Sequence, residues 1–266
     1  LLSYFSRALY DYKKKYFISA SIRRDGSSKL KTPGTDKHFQ NFPSVAAGWS
    51  ISEEDFFNSE FVSNLKLRAS WGRVGNIESL PSFPTNLPLS IGKVILGGNG
   101  YERSIALDGK SNPDIRWETS ETTNFGIDFS SINNKYTLTA DYFIRDTKDL
   151  LLRLPVSPNE GILTENAPYQ NAGEVRNSGL ELALGVNKYE GDFTYNLSGN
   201  MSFIKNELTK LSGGFSSLDE GQTQVATHYT LVYAVNQPLG SFYLIETDGL
   251  LRTAAQVTEA QANGQP

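Results

Sequence analysis

The chain has 266 residues with 25 Lys+Arg against 29 Asp+Glu, a net charge of -4 that argues against a nucleic-acid surface. Its 38% hydrophobic content and mean hydropathy of -0.37, with no apolar run of about 18 residues, exclude a helical membrane protein but not a β-barrel, whose strands are half polar. It has no Cys, so disulfides, thiolate metal sites and a Cys nucleophile are excluded, and the two His, His38 and His228, are too few and too far apart for a zinc site.

The strands are read from period-2 alternation. In the first run Leu2, Tyr4, Ser6, Ala8 and Tyr10 alternate with Ser3, Phe5, Arg7, Leu9 and Asp11. Lys13-Lys14-Lys15 is a tight charged turn, after which Tyr16, Ile18, Ala20 and Ile22 alternate with Phe17, Ser19, Ser21 and Arg23. Residues 25–41 form a long polar loop marked by Gly26, Pro33 and Gly34. Pro43, Val45, Ala47, Trp49 and Ile51 make the next apolar face, followed by an acidic connection in which Ser52 caps one helical turn. Leu65, Leu67, Ala69 and Trp71 resume the pattern, and residues 75–112 read as one long loop of Gly, Pro, Ser and Asn. Thr123, Phe125, Ile127 and Phe129 lead into the turn Asn133-Asn134, from which Tyr136, Leu138, Ala140, Tyr142 and Ile144 return. After a longer loop over residues 154–170, Leu180, Leu182, Leu184 and Val186 lead to a turn at Tyr189-Glu190-Gly191-Asp192. A strand starting at Phe193 follows, with Phe193, Tyr195, Leu197, Gly199, Met201 and Phe203 on one face and Thr194, Asn196, Ser198, Asn200 and Ser202 on the other. Beyond residue 210 the pattern fades.

These elements give about eight antiparallel strands in hairpins, with short turns on one side and long loops on the other, as in a transmembrane β-barrel wall. Strands of about 9–11 residues are long enough to cross a bilayer when tilted. The fold class is therefore all-β, a partial wall of an antiparallel transmembrane β-barrel with short periplasmic turns and long extracellular loops. The 13 Tyr and 15 Phe concentrate around the short turns, where Tyr10, Tyr12, Tyr16, Phe56, Phe57, Phe129, Tyr136, Tyr189 and Phe193 fit an interfacial aromatic girdle. The competing explanation is the general preference of aromatics for strands. The polar positions Thr137, Thr139, Asp141, Thr194, Asn196, Ser198 and Asn200 would face a wet lumen. In the loops, Tyr101, Trp117 and Tyr169 are candidates for contact with a substrate or a lid, the rings offering faces to sugars; Arg23 and Arg24 could grip an anionic ligand. Loop packing for Trp117 and a local ion pair at Arg23-Arg24-Asp25 are the plainer alternatives. No nucleophile elbow, phosphate loop or metalloprotease motif is present in the sequence, and no cofactor is expected.

Several longer runs stand out: Tyr10-Asp11-Tyr12-Lys13-Lys14-Lys15-Tyr16 with Arg23-Arg24-Asp25-Gly26-Ser27-Ser28, Asn41-Phe42-Pro43-Ser44 with Gly48-Trp49-Ser50, and Leu65-Lys66-Leu67-Arg68-Ala69-Ser70-Trp71-Gly72. Asn112-Pro113-Asp114-Ile115-Arg116-Trp117-Glu118-Thr119, Asn177-Ser178-Gly179-Leu180-Glu181-Leu182 and Gln237-Pro238-Leu239-Gly240-Ser241-Phe242-Tyr243 follow. In this order, along nearly the whole chain, they resemble the SusC/RagA family of TonB-dependent outer-membrane transporters. The resemblance implies an importer of oligosaccharides or peptides in the outer membrane of a Gram-negative bacterium, not an enzyme. The implied barrel has about 22 strands and an N-terminal plug. The implied partners are a SusD-like surface lipoprotein as a lid, the TonB–ExbB–ExbD system acting through an N-terminal part, and outer-membrane lipids. On this reading residues 1–266 are part of one barrel domain, with the plug and closing strands outside the segment, and residues 211–266 are mainly extracellular loop. Two other readings stay open. An outer-membrane barrel enzyme would need His38 near the rim, and a soluble β-sandwich binding module would bury its apolar faces within protein.

Overall fold

Alternating residues pair into one long meander. The computed structural model describes residues 2–31, 38–86, 89–95, 101–107, 109–157, 159, 167–214, 216–219, 224–225, 228–229, 231–243 and 253–262. Strands β1 (Leu2–Tyr12), β2 (Tyr16–Gly26), β3 (Phe39–Ser50) and β4 (Val62–Asn76) are followed by a separate hairpin of β5 (Leu89–Ile95) and β6 (Tyr101–Leu107). Then come β7 (Glu118–Ser131), β8 (Tyr136–Arg153), β9 (Tyr169–Lys188) and β10 (Tyr195–Leu211). The large sheet has eight strands in the order β1-β2-β3-β4-β7-β8-β9-β10, every neighbour antiparallel. Seven gaps of about 4.8 Å give a wall about 34 Å wide.

Two of the short turns share one geometry. Lys13 and Lys14 have φ of 51° and 56°, and the Lys15 N–H donates to the Tyr12 carbonyl at 3.0 Å. Asn133 and Asn134 have φ of 61° and 51°, with Lys135 N–H donating to the Ile132 carbonyl at 3.4 Å. Positive φ at both central residues matches the twist of the flanking strands. Asn tolerates that region through its short side chain, whereas Lys occupies it at some cost.

The register aligns the faces strand by strand. Tyr16, Trp49, Leu67, Ile127, Ala140, Leu182 and Met201 form one continuous row across the sheet, and Ile18, Ala47, Ala69, Phe125, Tyr142, Leu180 and Phe203 form the next. Nothing among the described residues packs over these rows; Phe125 is 57% exposed and Met201 56%. On β8 the apolar face runs from Tyr136 to Ile144 and gives way to Asp146. Eight steps of about 3.3 Å each span about 26 Å along the strand, or about 20 Å of height at a tilt of about 40°, close to the apolar band of a membrane barrel.

The buried core lies elsewhere. Leu30, Phe42, Leu80, Ile115, Trp117 and Leu151 cluster at the long-loop end, with Ile77 and Tyr169 packed against them. Phe42 occupies the face opposite Pro43 and Val45, so the loops fold inward over the polar face. Gly75 is required there, because a Cβ would collide with the Phe42 ring. On β8 the register slips between Thr147 and Leu150, with Asp149 at φ 58°, and this bulge brings Leu151 into the core.

Four expectations are corrected. The acidic connection carries a 3-10 turn over Ile51–Glu53 with Ser50 as its N-cap, not a turn capped by Ser52. The region 75–112 contains the β5–β6 hairpin, whose alternation is short and interrupted by Gly92. The last long strand begins at Tyr195, so Phe193 and Thr194 precede it. That strand continues to Leu211, and residues beyond it form small sheets: β11 (Ser217–Asp219) with β14 (Leu231–Ala234) and β15 (Ser241–Phe242), and β12 (Gln224–Val225) with β13 (His228–Tyr229). Helix α1 spans Ala254–Ala262.

Candidate functional site

The polar face carries an ordered network. Thr137, Thr139 and Asp141 on β8 pair across Gly185, Ala183 and Glu181 on β9 to Ser198, Asn200 and Ser202 on β10, and Asn196 pairs with Asn187. These side chains therefore share the face opposite the apolar rows; Thr194, outside the strand, has no place in that register. The Asn196 side-chain amide Nδ2 donates to Asn187 Oδ1, and Thr139 Oγ1 donates to Asp128 Oδ1 at 3.4 Å.

Arg68 on β4 anchors this face. Its Nε and Nη2 donate to Asp128 at 2.7 and 3.0 Å, while Nη1 and Nη2 donate to Asp141 at 3.0 Å each. Asp141 lies two strands away, with Gly126 between them in the same row. A Cβ at Gly126 would stand 2.5 Å from Asp141 Oδ1 and 2.6 Å from Arg68 Nη2. The missing side chain is the channel through which the guanidinium crosses β7. Two planar forks on one guanidinium fix position better than a point charge could. Sequence reading placed Asp141 on this face and missed Arg68, Asp128 and Gly126, because only the register brings them into line.

The loop candidates separate. Arg23 and Arg24 point to opposite faces: Arg23 pairs across to Phe42, and its Nε donates to Asp25 Oδ2 at 2.7 Å, whereas Arg24 lies over the Phe39 ring at 5.0 Å. They cannot both grip one ligand. Trp117 is 5% exposed, edge-on to Phe42 at 5.5 Å, and its Nε1 donates to the His38 carbonyl at 3.4 Å. Its ring is committed to loop packing. Tyr169 is half-buried beneath Arg153, whose guanidinium lies 4.7 Å from the ring centre. The Tyr101 side chain lies outside the described residues.

At the opposite end, the short-turn edge is aromatic and ion-paired. Ring pairs occur at Tyr12–Tyr16, Phe61–Phe129, Phe61–Tyr136 and Phe193–Tyr195, with centres 6.0 to 6.5 Å apart. Glu54, whose side chain is 11% exposed, gathers three donors: Tyr16 Oη at 2.5 Å and Trp49 Nε1 at 2.9 Å on one oxygen, and Lys15 Nζ at 3.2 Å on the other. The Tyr16 bond first, then those of Trp49 and Lys15, hold the Glu54 carboxyl below the usual carboxylate range. These bonds clip the polar edges of two girdle rings to one carboxylate.

Similarity to known proteins follows the same lines. Residues 2–248 match the family described as TonB dependent receptor-like, beta-barrel. The chain is 32% identical over 264 residues to the TonB-dependent receptor SusC of Bacteroides thetaiotaomicron, covering 92% of this chain and 25% of that protein. It is 35% identical over 240 residues to the TonB-dependent receptor P39 of Formosa agariphila, covering 84% and 21%. Among solved structures, the RagAB peptide importer in its closed-closed state superposes with a TM-score of 0.76 at 26% identity, over 90% of this chain and 25% of that one. The chain thus spans about a quarter of the length of these relatives. With its unclosed antiparallel wall and its match along nearly the whole length, the chain belongs to the TonB-dependent receptor β-barrel family.

Proposed function

We propose that this chain forms about a third of the wall of a 22-stranded outer-membrane importer of a Gram-negative bacterium. The observation that carries this reading is the division of the sheet: an apolar face left uncovered, and a buried core confined to the long-loop end on the polar side. A soluble β-sandwich would place its core on the apolar face. Lipid would cover the apolar rows, and the face bearing Thr139, Asp141 and Asn200 would line a lumen occupied by water and a plug. The long-loop end would face outward and include residues 211–266. Cargo would be an oligosaccharide or a peptide, admitted without covalent chemistry, and energised by TonB–ExbB–ExbD through a segment outside this chain. The relatives carry receptor and importer names, which supports a transport role over an enzymatic one.

A SusD-like lipoprotein would cap the outer end. The β5–β6 hairpin offers it a surface: Ile91 and Ile105 pair across the hairpin and are 77% and 72% exposed. Uncovered apolar residues at such a site mark a partner surface. Arg23 and Tyr169 remain candidates for contact with cargo or lid, and Trp117 holds the loops beneath them.

The test is a mild-detergent pull-down of the full-length protein from native outer membranes, followed by mass spectrometry. A stoichiometric lipoprotein together with plug-domain peptides is the expected result. Recovery in the soluble fraction with neither would overturn the reading.

A further inference from the structure

The apolar face is not evenly filled. Ala47 and Ala69 are neighbours in one row, and Ala140 lies in the row nearer the short turns. Larger side chains rise around them, and the result is a groove of about 770 Å³ whose walls include Tyr16, Ile18, Trp49, Leu67, Ile127 and Tyr142. That volume falls within the range of discrete small-molecule sites, about 300–1,000 Å³. Its walls are almost wholly apolar side chain. A peptide laid there would leave its N–H and C=O groups unpaired at a cost, whereas a hydrocarbon chain would not.

The short-turn end of the groove has the opposite character. Tyr16 and Trp49 end it, with their polar edges turned to Glu54. Just beyond Tyr16 lies the lysine turn. Lys15 is spent on Glu54 and Asp55, both at 3.2 Å. Lys13 and Lys14 hold no carboxylate with their ammonium groups among the described residues; Lys13 Nζ lies 5.4 Å from the Tyr12 ring, and the Lys14 backbone N–H donates to Asp11 Oδ1 at 3.3 Å. A hydrocarbon groove with two ammonium groups in the turn just beyond its Tyr16 end is complementary to an amphiphile with an anionic head.

We propose that this groove seats an acyl chain of an anionic phospholipid whose phosphate is held by Lys13 and Lys14. The inference rests on the reading of the apolar rows as lipid-facing. The lipid clamps β2, β3, β4, β7 and β8 together from outside, at the level where the aromatic pairs mark the headgroup boundary. Of the carboxylates near this end, those of Glu54 and Asp55 are held by Lys15, and Asp11 accepts from the Lys14 backbone N–H.

Native mass spectrometry of the full-length protein in mild detergent, titrated with phosphatidylglycerol or phosphatidylcholine, tests the seat. The wild type should retain one phosphatidylglycerol in preference to phosphatidylcholine. Lys13→Asn with Lys14→Asn keeps a residue suited to positive φ and removes the charges; it should weaken phosphatidylglycerol binding roughly tenfold and leave phosphatidylcholine unchanged. Ala47→Leu with Ala69→Leu fills the groove and should weaken both. Equal retention of phosphatidylglycerol by the wild type and both variants would overturn the seat. A photocrosslinking residue at Leu184, on the same face away from the groove, separates the two levels of the argument. Lipid adducts at Leu184 combined with no phosphatidylglycerol preference in the mass spectra would sink the seat alone, and an absence of lipid adducts would sink the lipid-facing reading beneath it.

Discussion

At the scale of single residues, position in the register decides what a side chain can do. Gly126 has the same composition as any other strand glycine, yet it alone allows Arg68 to reach Asp141 across β7. Gly126→Val should force the guanidinium off Asp141 and leave a half-buried carboxylate without its partner. The expected cost is about 1–3 kcal/mol, read as a lower denaturant midpoint for the folded full-length barrel. Glu54 gives a pH signature. Its carboxyl is held below the usual range, so its contribution to stability is complete above the ordinary carboxylate value and is lost as pH falls through the lowered one. Wild type should therefore melt above Glu54→Gln at neutral pH, and the gap should narrow progressively as pH falls below the ordinary carboxylate value. A gap that persists or widens in acid would contradict the assignment.

At the scale of elements, the meander, its bulge and its loop core have different origins. The wall strands follow from alternation and from turns whose backbone matches strand twist, so each hairpin is specified locally. The bulge at Asp149 is specified by its surroundings: it re-aims Leu151 into a core built by Phe42, Trp117 and Leu80, which are distant in sequence. The β5–β6 hairpin is paired but leaves its large apolar side chains uncovered. Ile91→Asp with Ile105→Asp should leave heat-modifiable migration of the barrel unchanged, because the hairpin is not part of the wall. Co-purification of the proposed surface lipoprotein should fall roughly tenfold or more, as expected for loss of buried apolar anchors at an interface. Undiminished co-purification would remove the hairpin from the lid surface.

At the scale of the whole molecule, an eight-stranded wall is incomplete. β1 and β10 each leave one edge without a partner strand in the large sheet, and unpaired backbone groups cannot be left in hydrocarbon. Residues 1–266 expressed alone should aggregate through those edges, while the full-length protein should refold in detergent. A monodisperse, water-soluble segment would show that the apolar rows are not a membrane surface.

The sequence by itself determined the central stretches of the strands, residues 2–11, 16–23, 136–144 and 180–186, the tight turns at Lys13-Lys14 and Asn133-Asn134, and the division of each strand into an apolar and a polar face. Those features depend on residues one to four positions apart, and period-2 patterning and turn chemistry report them directly. The family resemblance was legible for the same reason, in short runs such as Arg23-Arg24-Asp25-Gly26-Ser27-Ser28. Only the tertiary structure decided which candidates could act together. It turned Arg23 and Arg24 to opposite faces, withdrew Trp117 into the loop core, aligned Arg68 with Asp141 over Gly126, and gathered Ala47, Ala69 and Ala140 into a groove. The Arg68–Asp141 alignment and the alanine groove depend on how separate strands pair, and pairing across dozens of residues is fixed by the whole sheet, not by any stretch of it.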